Sequence, residues 1–446
     1  RMEIFMIIPD YVRGVTDKIE KAGYEAYVVG GCVRDSILGR PADDWDVAVS
    51  ARPDEVTAAL GAENVIPTGI KHGTVTVVTD GGTVELTTYR IDGDYADCRH
   101  PSSVTFTSDL TLDLERRDFT MNAVAYNPRS GIVDPFGGRA DIERRVIRCV
   151  GDPEKRFRED ALRIMRALRF SAVLGFEIDP PTAAAIHRLK NLLSDIAAER
   201  IAAELNKLML APDPSGALRE YSDVVSVFIP ELSACIGFDQ KSKRHIYDVW
   251  EHILHAVAES PRILTVRLAL LFHDIAKPVC AAEDENGALH FRGHQSLGAE
   301  MASRIMRRLK YDNSTRFTVK MLVENHDIPI KPTRVSVRRA LRRFGTDKLG
   351  LLLEVKLADN LAKSSEYRCR IQEALDVRGL MNGIIENGDC CTLAQLAVNG
   401  FDIKKSFDMT GKSIGYMLDT LLDAVIDEKC PNEKGALLDL AREKFE

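Results

Sequence analysis

Hydrophobic and polar positions change rhythm once along the chain, near residue 153. Before that point, short β-branched runs are broken by glycine, as in AYVVG, WDVAVS and GTVTVVTDGGTVELTTYR. Such runs read as strands, so a mixed α/β unit is expected up to about residue 150. The Gly81-Gly82 break between TVTVV and TVELTTY predicts a hairpin. From RFREDALRIMRALRF onward the apolar spacing is helical. Pro180-Pro181, Pro212 to Pro214 and Pro329 to Pro332 divide that part into helical groups. The fold class is therefore predicted as α+β: an α/β head at 1–150, a helical neck at 151–230, a helical body at 231–365 and a helical tail at 366–446.

Composition narrows this little. The chain has 446 residues, 45% hydrophobic and 28% charged, which suits a soluble protein of several domains. Its formal charge of -7 gives no overall nucleic-acid signature. The stretch from Glu300 to Lys348 is different, with thirteen Lys/Arg against five Asp/Glu, and is the first candidate RNA surface. Arg338, Arg339, Arg342 and Arg343 are its densest part. Nine scattered cysteines without a Cys-x-x-Cys pair fit reduced thiols in a cytoplasmic protein. No run approaches the roughly 20 apolar residues of a membrane span, and RMEIFMIIPDYV is too short for a signal peptide, so no membrane partner is expected.

Candidate chemistry starts with VVGGCVRDSILG, Val28 to Gly39, followed by Asp44-Trp45-Asp46. On a strand, Asp44 and Asp46 would project on one face, and a divalent cation would relieve their repulsion. Hard oxygen donors favour Mg²⁺. Gly30 and Gly31, between strand and helix, would let backbone N–H groups approach a triphosphate, with Arg34 one turn in. A sharp structural turn and a solvated strand end would use the same residues.

Together these residues resemble the signature of the class II tRNA nucleotidyltransferase and bacterial poly(A) polymerase family. TGIKHGTVTVV, VELTTYR, RRDFTMNAVAYNP, DPFGG and RFREDALRIMRALRF follow in family order. The resemblance implies a polymerase β-like head in which Asp44 and Asp46 hold Mg²⁺ and are the catalytic residues. Gly30, Gly31, Arg34 and Arg117 would hold the nucleotide, with Arg116 beside Arg117 and Glu85 either a third carboxylate or a surface residue. Asp160, Arg163, Arg166 and Arg169, at three-residue spacing, are expected on one face of one helix, where the family reads the incoming base of CTP or ATP. Glu199 and Arg200 would brace that helix. The full polar loop from Arg90 to Val104, with Gly93, Asp94, Tyr95 and Asp97, resembles enzymes that add the whole CCA sequence to tRNA. A partial CC or A adder and a poly(A) polymerase remain alternatives.

The helical half carries a second pattern: His252, His273-Asp274, His294, His326 and Asp359. Imidazole with carboxylate suits a divalent transition metal. This part resembles an HD-superfamily domain over about 245 to 365. The resemblance implies His252, His273, Asp274 and Asp359 as metal ligands, His294 and His326 as a second site, and phosphohydrolase chemistry on RNA 3′ or cyclic phosphates. An HD phosphohydrolase with a non-catalytic RNA-binding head is the alternative of another class. His245 reads as a neighbour on the face of His252, and Lys404, Lys405 and Lys412 in the tail as phosphate contacts or plain surface. No protein partner is implied.

Overall fold

The computed structural model describes residues 6–42, 44–93, 103–241, 246–364, 368–407 and 409–445. It divides into two compact units, Arg1–Pro230 and Glu231–Glu446. The change of rhythm near residue 153 therefore falls inside the first unit, and no unit ends there.

The first unit is built on a seven-stranded sheet. β1 (Ala26–Val29), β2 (Asp46–Val49), β3 (Val65–Gly69), β4 (Thr74–Thr79), β5 (Gly82–Thr88), β8 (Ala125–Asn127) and β9 (Gly131–Val133) lie in the order β3-β4-β5-β2-β1-β8-β9. Central β1 reads as a continuous apolar run because both its faces are covered: Val28 and Val29 are each buried. β4 and β5 form the expected hairpin, whose register pairs Thr79 with Gly82 and leaves Asp80-Gly81 as the two-residue turn. β2 and β5 pair in parallel, setting Asp46 opposite Glu85. β6 (Arg90–Asp92) and β7 (Val104–Phe106) make a separate antiparallel pair. Asp94, Tyr95 and Asp97 of the polar loop lie outside the described residues.

Helices α1 (Asp10–Lys21), α2 (Gly31–Ile37), α3 (Pro53–Leu60), α4 (Leu110–Glu115) and α5 (Gly138–Arg144) flank these strands. α1 turns Val12, Val15 and Ile19, at helical spacing, into the sheet's core. The DPFGG motif is structural. A Cβ at Gly138 would stand 2.0 Å from the Thr120 carbonyl oxygen, while the Asp134 carboxylate accepts from Gly138 N–H at 2.7 Å and Arg139 N–H at 2.9 Å. The turn carrying RRDFTMNA is thereby clamped.

One expectation fails in detail. RFREDALRIMRALRF is two helices, α6 (Pro153–Glu159) and α7 (Leu162–Leu174), broken at Asp160, whose backbone is extended. The Asp160 side chain accepts from Leu162 N–H at 3.1 Å, the local competition with helix that short acidic residues favour. Asp160 thus stands before α7 and does not share its face with Arg163 and Arg166. α8 (Pro180–Leu189), α9 (Ala198–Met209), α10 (Ser215–Glu220) and α11 (Ser222–Phe228) complete the unit.

The second unit is helical apart from a two-residue ladder between 282–283 and 289–290. It comprises α12 (Val249–Ala258), α13 (Leu264–Phe272), α14 (Lys277–Cys280), α15 (His294–Arg308), α16 (Asn313–Asn325), α17 (Arg334–Phe344), α18 (Thr346–Leu361), α19 (Arg368–Glu386), α20 (Gly400–Ser406), α21 (Lys412–Ile426) and α22 (Lys434–Phe445). α20 to α22 enclose a core of their own, including Val398, Ile403, Leu421 and Leu437. No helix among the described residues is long and apolar enough to cross a membrane. Cys32, Cys149, Cys235, Cys280, Cys390, Cys391 and Cys430 are free thiols.

The four arginines at the densest part of the basic stretch are engaged by side chains of this unit. On α17, Arg338 meets Asp389 at 2.6 Å and Glu428 at 3.2 Å, Arg339 meets Asp427 at 2.6 Å, and Arg342 meets Asp419 at 2.8 Å and also Asp423. Arg343 donates to Asn325 at 2.8 Å. The acids come from residues 389 to 428, outside the basic stretch, and they offset the charge of these α17 arginines.

Candidate active site

The candidate nucleotide site forms where β1 ends. Gly30 has φ 79, a conformation that favours glycine, and a Cβ there would come within 3.1 Å of Arg117 Nη1 and 3.8 Å of Asp46 Oδ2. α2 then starts at Gly31 and brings Arg34 back toward the same place. A cleft of about 620 Å³ is lined by Gly30, Gly31, Asp44, Asp46 and the arginines 34, 116, 117, 163, 166, 169 and 200. It also receives Asp118, Asn122 and Asp160. Every head and neck residue singled out as a nucleotide or catalytic residue therefore meets in one cleft, although Asp160 and the arginines of α7 reach it from different elements.

The carboxylates sit at the mouth. β2 starts at Asp46, so Asp44 lies in the lead-in and not on the strand, with buried Trp45 between them. Asp46 is open to solvent on one side and crowded on the other. Burial pushes its carboxyl above the usual range, Arg117 pulls it back and Asp44 pushes it further. Glu85 is raised by burial, then by Asp46 and Asp44. Mutual repulsion of oxygen donors is the signature of a cation site, and Mg²⁺ suits such a set. Glu85 stands opposite Asp46 in the sheet but is not among the residues that line the cleft.

Behind the mouth, the arginines are held by buried acids. Arg34 makes a paired contact with Asp35, at 3.0 and 2.8 Å, and donates to Asn122 Oδ1 at 2.7 Å. Asn122 in turn donates to Asp118, which also meets Arg166 at 2.6 Å. Burial alone would raise the Asp118 carboxyl, but Arg166, Asn122 and Arg163 hold it well below its ordinary range. Arg169 pairs with Glu204 at 3.1 Å. The guanidinium carbons of Arg34, Arg166 and Arg169 lie 5.1, 5.4 and 4.1 Å from the Phe170 ring centre. Buried Asp113 anchors both Arg116, at 2.8 Å, and Arg117, at 3.4 Å, and Arg117 Nε is a buried donor without a partner.

In the helical unit, the six expected residues converge. His252 Nε2 is 3.0 Å from Asp359 Oδ1 and 3.4 Å from Asp274 Oδ2; His273 Nε2 is 3.2 Å from Asp274 Oδ2. The other Asp274 oxygen faces His294 at 3.5 Å and His326 at 3.9 Å. Among the described residues, His252-His273-Asp274 and Asp274-His294-His326 are the clusters of three donors whose ligand atoms lie within 4.8 Å of one another, close enough to share a metal ion, and all are buried. Nδ1 of His273, His294 and His326 each faces a backbone carbonyl at 2.7 Å, which leaves Nε2 turned toward the cluster. Burial keeps His252, His294 and His326 toward the neutral, metal-binding form, His326 at about 4. The donor chemistry therefore fits a transition metal. Lys277 and Lys363 stand 2.6 Å from Asp274 and Asp359, and the cavity over the cluster, about 810 Å³, is also lined by Lys241 and Arg292. His245 lies outside the described residues.

Comparison with known proteins decides the family. Residues 26–148 match the model of the poly A polymerase head domain, 175–235 that of an RNA- and SrmB-binding site of polymerase A, and 291–441 that of tRNA nucleotidyltransferase domain 2. The chain is 33% identical to the CCA-adding enzyme of Streptococcus suis over 428 residues, 95% of this chain and 94% of that one. The chain belongs to the CCA-adding enzyme and poly(A) polymerase family. It is also 49% identical over 221 residues to the Geobacillus stearothermophilus CCA-adding enzyme, a match that spans 49% of this chain and about half, 54%, of that relative. The crystal structure of the Bacillus stearothermophilus CCA-adding enzyme in complex with CTP superposes with TM-score 0.73 at 31% identity, covering 98% of both chains. The Thermotoga maritima CCA-adding enzyme complexed with tRNA shares the fold, with TM-score 0.63 at 18% identity and coverage of 99% of this chain and 97% of that one.

Membership in this family accounts for the α/β head with its helical continuation. Residues 236–290, which carry His252, His273 and Asp274, fall between the matched segments. Sequence reasoning missed Asp118, Asn122, Lys277 and Lys363. Asp118 and Asn122 stand inside the quoted RRDFTMNA motif, and Lys277 three residues after Asp274, so position beside a motif was the available signal.

Proposed function

We propose that this family member is a CCA-adding tRNA nucleotidyltransferase, which extends tRNA 3′ ends by C, C and A from CTP and ATP without a template. The observation that carries this reading is the cleft, in which mutually repelling carboxylates face a wall of pre-positioned arginines. Arg34 and Arg117 hold the triphosphate, Arg117 with its unspent donor, and Gly30 and Gly31 let it approach the backbone. Asp44 and Asp46 would hold Mg²⁺, with Glu85 nearby, and the bound cation would supply charge neutralisation for the triphosphate and acidification of the RNA 3′-hydroxyl. Asp160, Arg163, Arg166 and Arg169 form the wall that selects the base. The CCA-adding names of the relatives support full addition over a partial adder or a poly(A) polymerase.

The segments 1–150, 151–230, 231–365 and 366–446 serve as head, neck, body and tail, in the cytoplasm. Exposed Phe401 and Tyr416 near Lys404, Lys405 and Lys412 support an RNA-contacting tail. The test offers the purified protein, with Mg²⁺, tRNA transcripts ending before CCA, after C and after CC, each with CTP, ATP or both. Two C additions, one A addition and then arrest are expected; a long A tract or arrest after CC removes the CCA claim.

A second activity is favoured by one observation, the three imidazoles whose Nδ1 atoms are tied to backbone carbonyls around Asp274. His252, His273, Asp274 and Asp359, with His294 and His326 for a second ion, make an HD-type centre for a divalent transition metal, which supplies an activated water for phosphate esters. Lys241, Lys277, Arg292 and Lys363 suit the phosphate of an RNA 3′ or 2′,3′-cyclic end. Hydrolysis of such ends after loading with Mn²⁺, Ni²⁺ or Zn²⁺, absent from a His273→Ala, Asp274→Ala variant, is the expected result; no binding of any of these ions removes the assignment.

A further inference from the structure

The cavity over the histidine-aspartate cluster has a neighbour. A second cavity, of about 380 Å³, opens between the segment 327–332 that follows α16, the helix α18 and the first half of α19. His326, Asp327, Asp359 and Arg370 line both cavities. The two therefore adjoin at the candidate metal ligands His326 and Asp359. A ligand whose phosphate lies over the cluster has room on this side for the rest of its structure.

The two linings differ in chemistry. The cavity over the cluster carries Lys241, Lys277, Arg292 and Lys363, which suit phosphate. The second is walled by Pro329, Ile330, Leu353, Ala374 and Val377, and Asn360 also lines it. Its volume falls in the roughly 300–1,000 Å³ of small-molecule sites, where apolar walls with a few fixed polar groups are usual. Lys356 Nζ ties the segment to α18, donating to the His326 carbonyl at 3.0 Å and the Ile328 carbonyl at 2.7 Å, so the wall is already in place. Asn360 is only 8% exposed. Its Nδ2 donates to the Lys356 carbonyl at 2.8 Å, which leaves Oδ1 as a buried acceptor without a partner. An unpaired buried acceptor is costly, and an N–H from a ligand would satisfy it.

We propose that this second cavity is a nucleoside subsite of the histidine-aspartate centre. It takes the sugar and base of a terminal nucleotide while the phosphate lies over the cluster, and Asn360 Oδ1 accepts from the exocyclic amine of adenine or cytosine. The ligand class is thus a nucleotide or RNA end bearing an amino base. The inference rests on the metal-centre reading above.

The test is equilibrium binding to the metal-free protein, so it does not depend on hydrolysis. The probes are adenosine and cytidine 3′-monophosphates, their purine riboside and pyrimidin-2-one riboside counterparts, which lack only the amine, and ribose 5-phosphate. The intact protein is expected to bind the amino nucleotides about 10-fold more tightly than the counterparts, and those more tightly than ribose 5-phosphate. Asn360→Leu should erase the difference made by the amine. Ile330→Trp, at a partly exposed loop position that is no candidate metal ligand, should fill the cavity and bring every nucleotide to the level of ribose 5-phosphate, with binding of Mn²⁺, Ni²⁺ or Zn²⁺ retained. Repeating the series with Arg117→Ala, which weakens the head cleft, separates the two sites: the discrimination should persist there. Equal affinity with and without the amine, discrimination lost with Arg117→Ala, or unchanged nucleotide affinity in Ile330→Trp overturns the proposal while leaving the metal centre standing. Should Asn360→Leu fail to fold, Ile330→Trp and the amine comparison in the intact protein decide the point. Failure of the intact protein to bind any of the three metal ions sinks the phosphohydrolase reading, and this inference with it.

Discussion

The nucleotide cleft and the histidine-aspartate centre are both polar clusters inside a mostly apolar protein, yet they are built on opposite plans. The cleft leaves its carboxylates at an open mouth and spends its interior acids, Asp113, Asp118 and Glu204, on orienting arginines. The centre buries all six candidate residues and turns imidazole nitrogens inward by tying the opposite ones to backbone carbonyls. An open, cationic cleft suits a large polyanion that must enter and leave at each addition. A buried cage of imidazoles and carboxylates suits an ion that stays. Asp274 shows the difference: a carboxylate facing imidazoles from both its oxygens is tenable in the dry interior only with a cation or protonated neighbours, and Lys277 already supplies part of that charge.

The contrast is broken most sharply by removing the mouth. Asp44→Ala or Asp46→Ala should abolish CTP and ATP addition by about 1000-fold or more, with metal content at the histidine centre unchanged. Because ionised Asp46 is disfavoured in the folded chain, Asp46→Asn should leave the melting temperature of the magnesium-free protein equal or higher. A clear drop contradicts the repulsion assigned to that pair.

Asp118→Asn probes the interior of the cleft. The folded carboxyl lies below its ordinary range, so its stabilisation is fully present above the unfolded value near pH 4 and is lost as pH falls through the lower, folded value. Removing a buried charge opposite Arg166 should cost about 3 kcal/mol at neutral pH. Denaturant melts should show that penalty shrinking on acidification below about pH 4; a penalty independent of pH refutes the ion pair as its source.

Asp274→Ala probes the other plan. It should reduce metal binding at the centre at least 10-fold by equilibrium dialysis while sparing nucleotide addition. Loss of addition without loss of metal would invert the assignment. The smallest effect is expected at α17: Arg339→Glu, at an exposed pair, should change stability by no more than about 1 kcal/mol, and 1 M salt should erase most of it. A steep loss of tRNA affinity from that single change would instead restore α17 as an RNA surface.

Much of the site was legible before the fold. Gly30 and Gly31 stood beside Asp44 and Asp46 because one strand-to-helix turn has to make room for a phosphate, and local spacing reports a local turn. The His273-Asp274 doublet after RLALLF was legible because an acid at the end of an apolar helix demands a partner. Asp160 was misplaced on the helix because RFREDALRIMRALRF keeps helical periodicity through a residue whose side chain caps the next helix instead.

The chain by itself therefore determined the order of motifs and the strands and helices that carry them, consequences of neighbours within a few residues, while the histidine-aspartate set was legible only through a family resemblance. Tertiary structure alone decided that Glu85 lies opposite Asp46, that Arg200 reaches Asp160 from 40 residues away, and that the arginines of α17 face acids between 389 and 428. The reason is that a side chain's charge and hydrogen-bonding capacity are fixed by its type, whereas its partner is fixed by strand register and helix packing, which bring distant residues into contact.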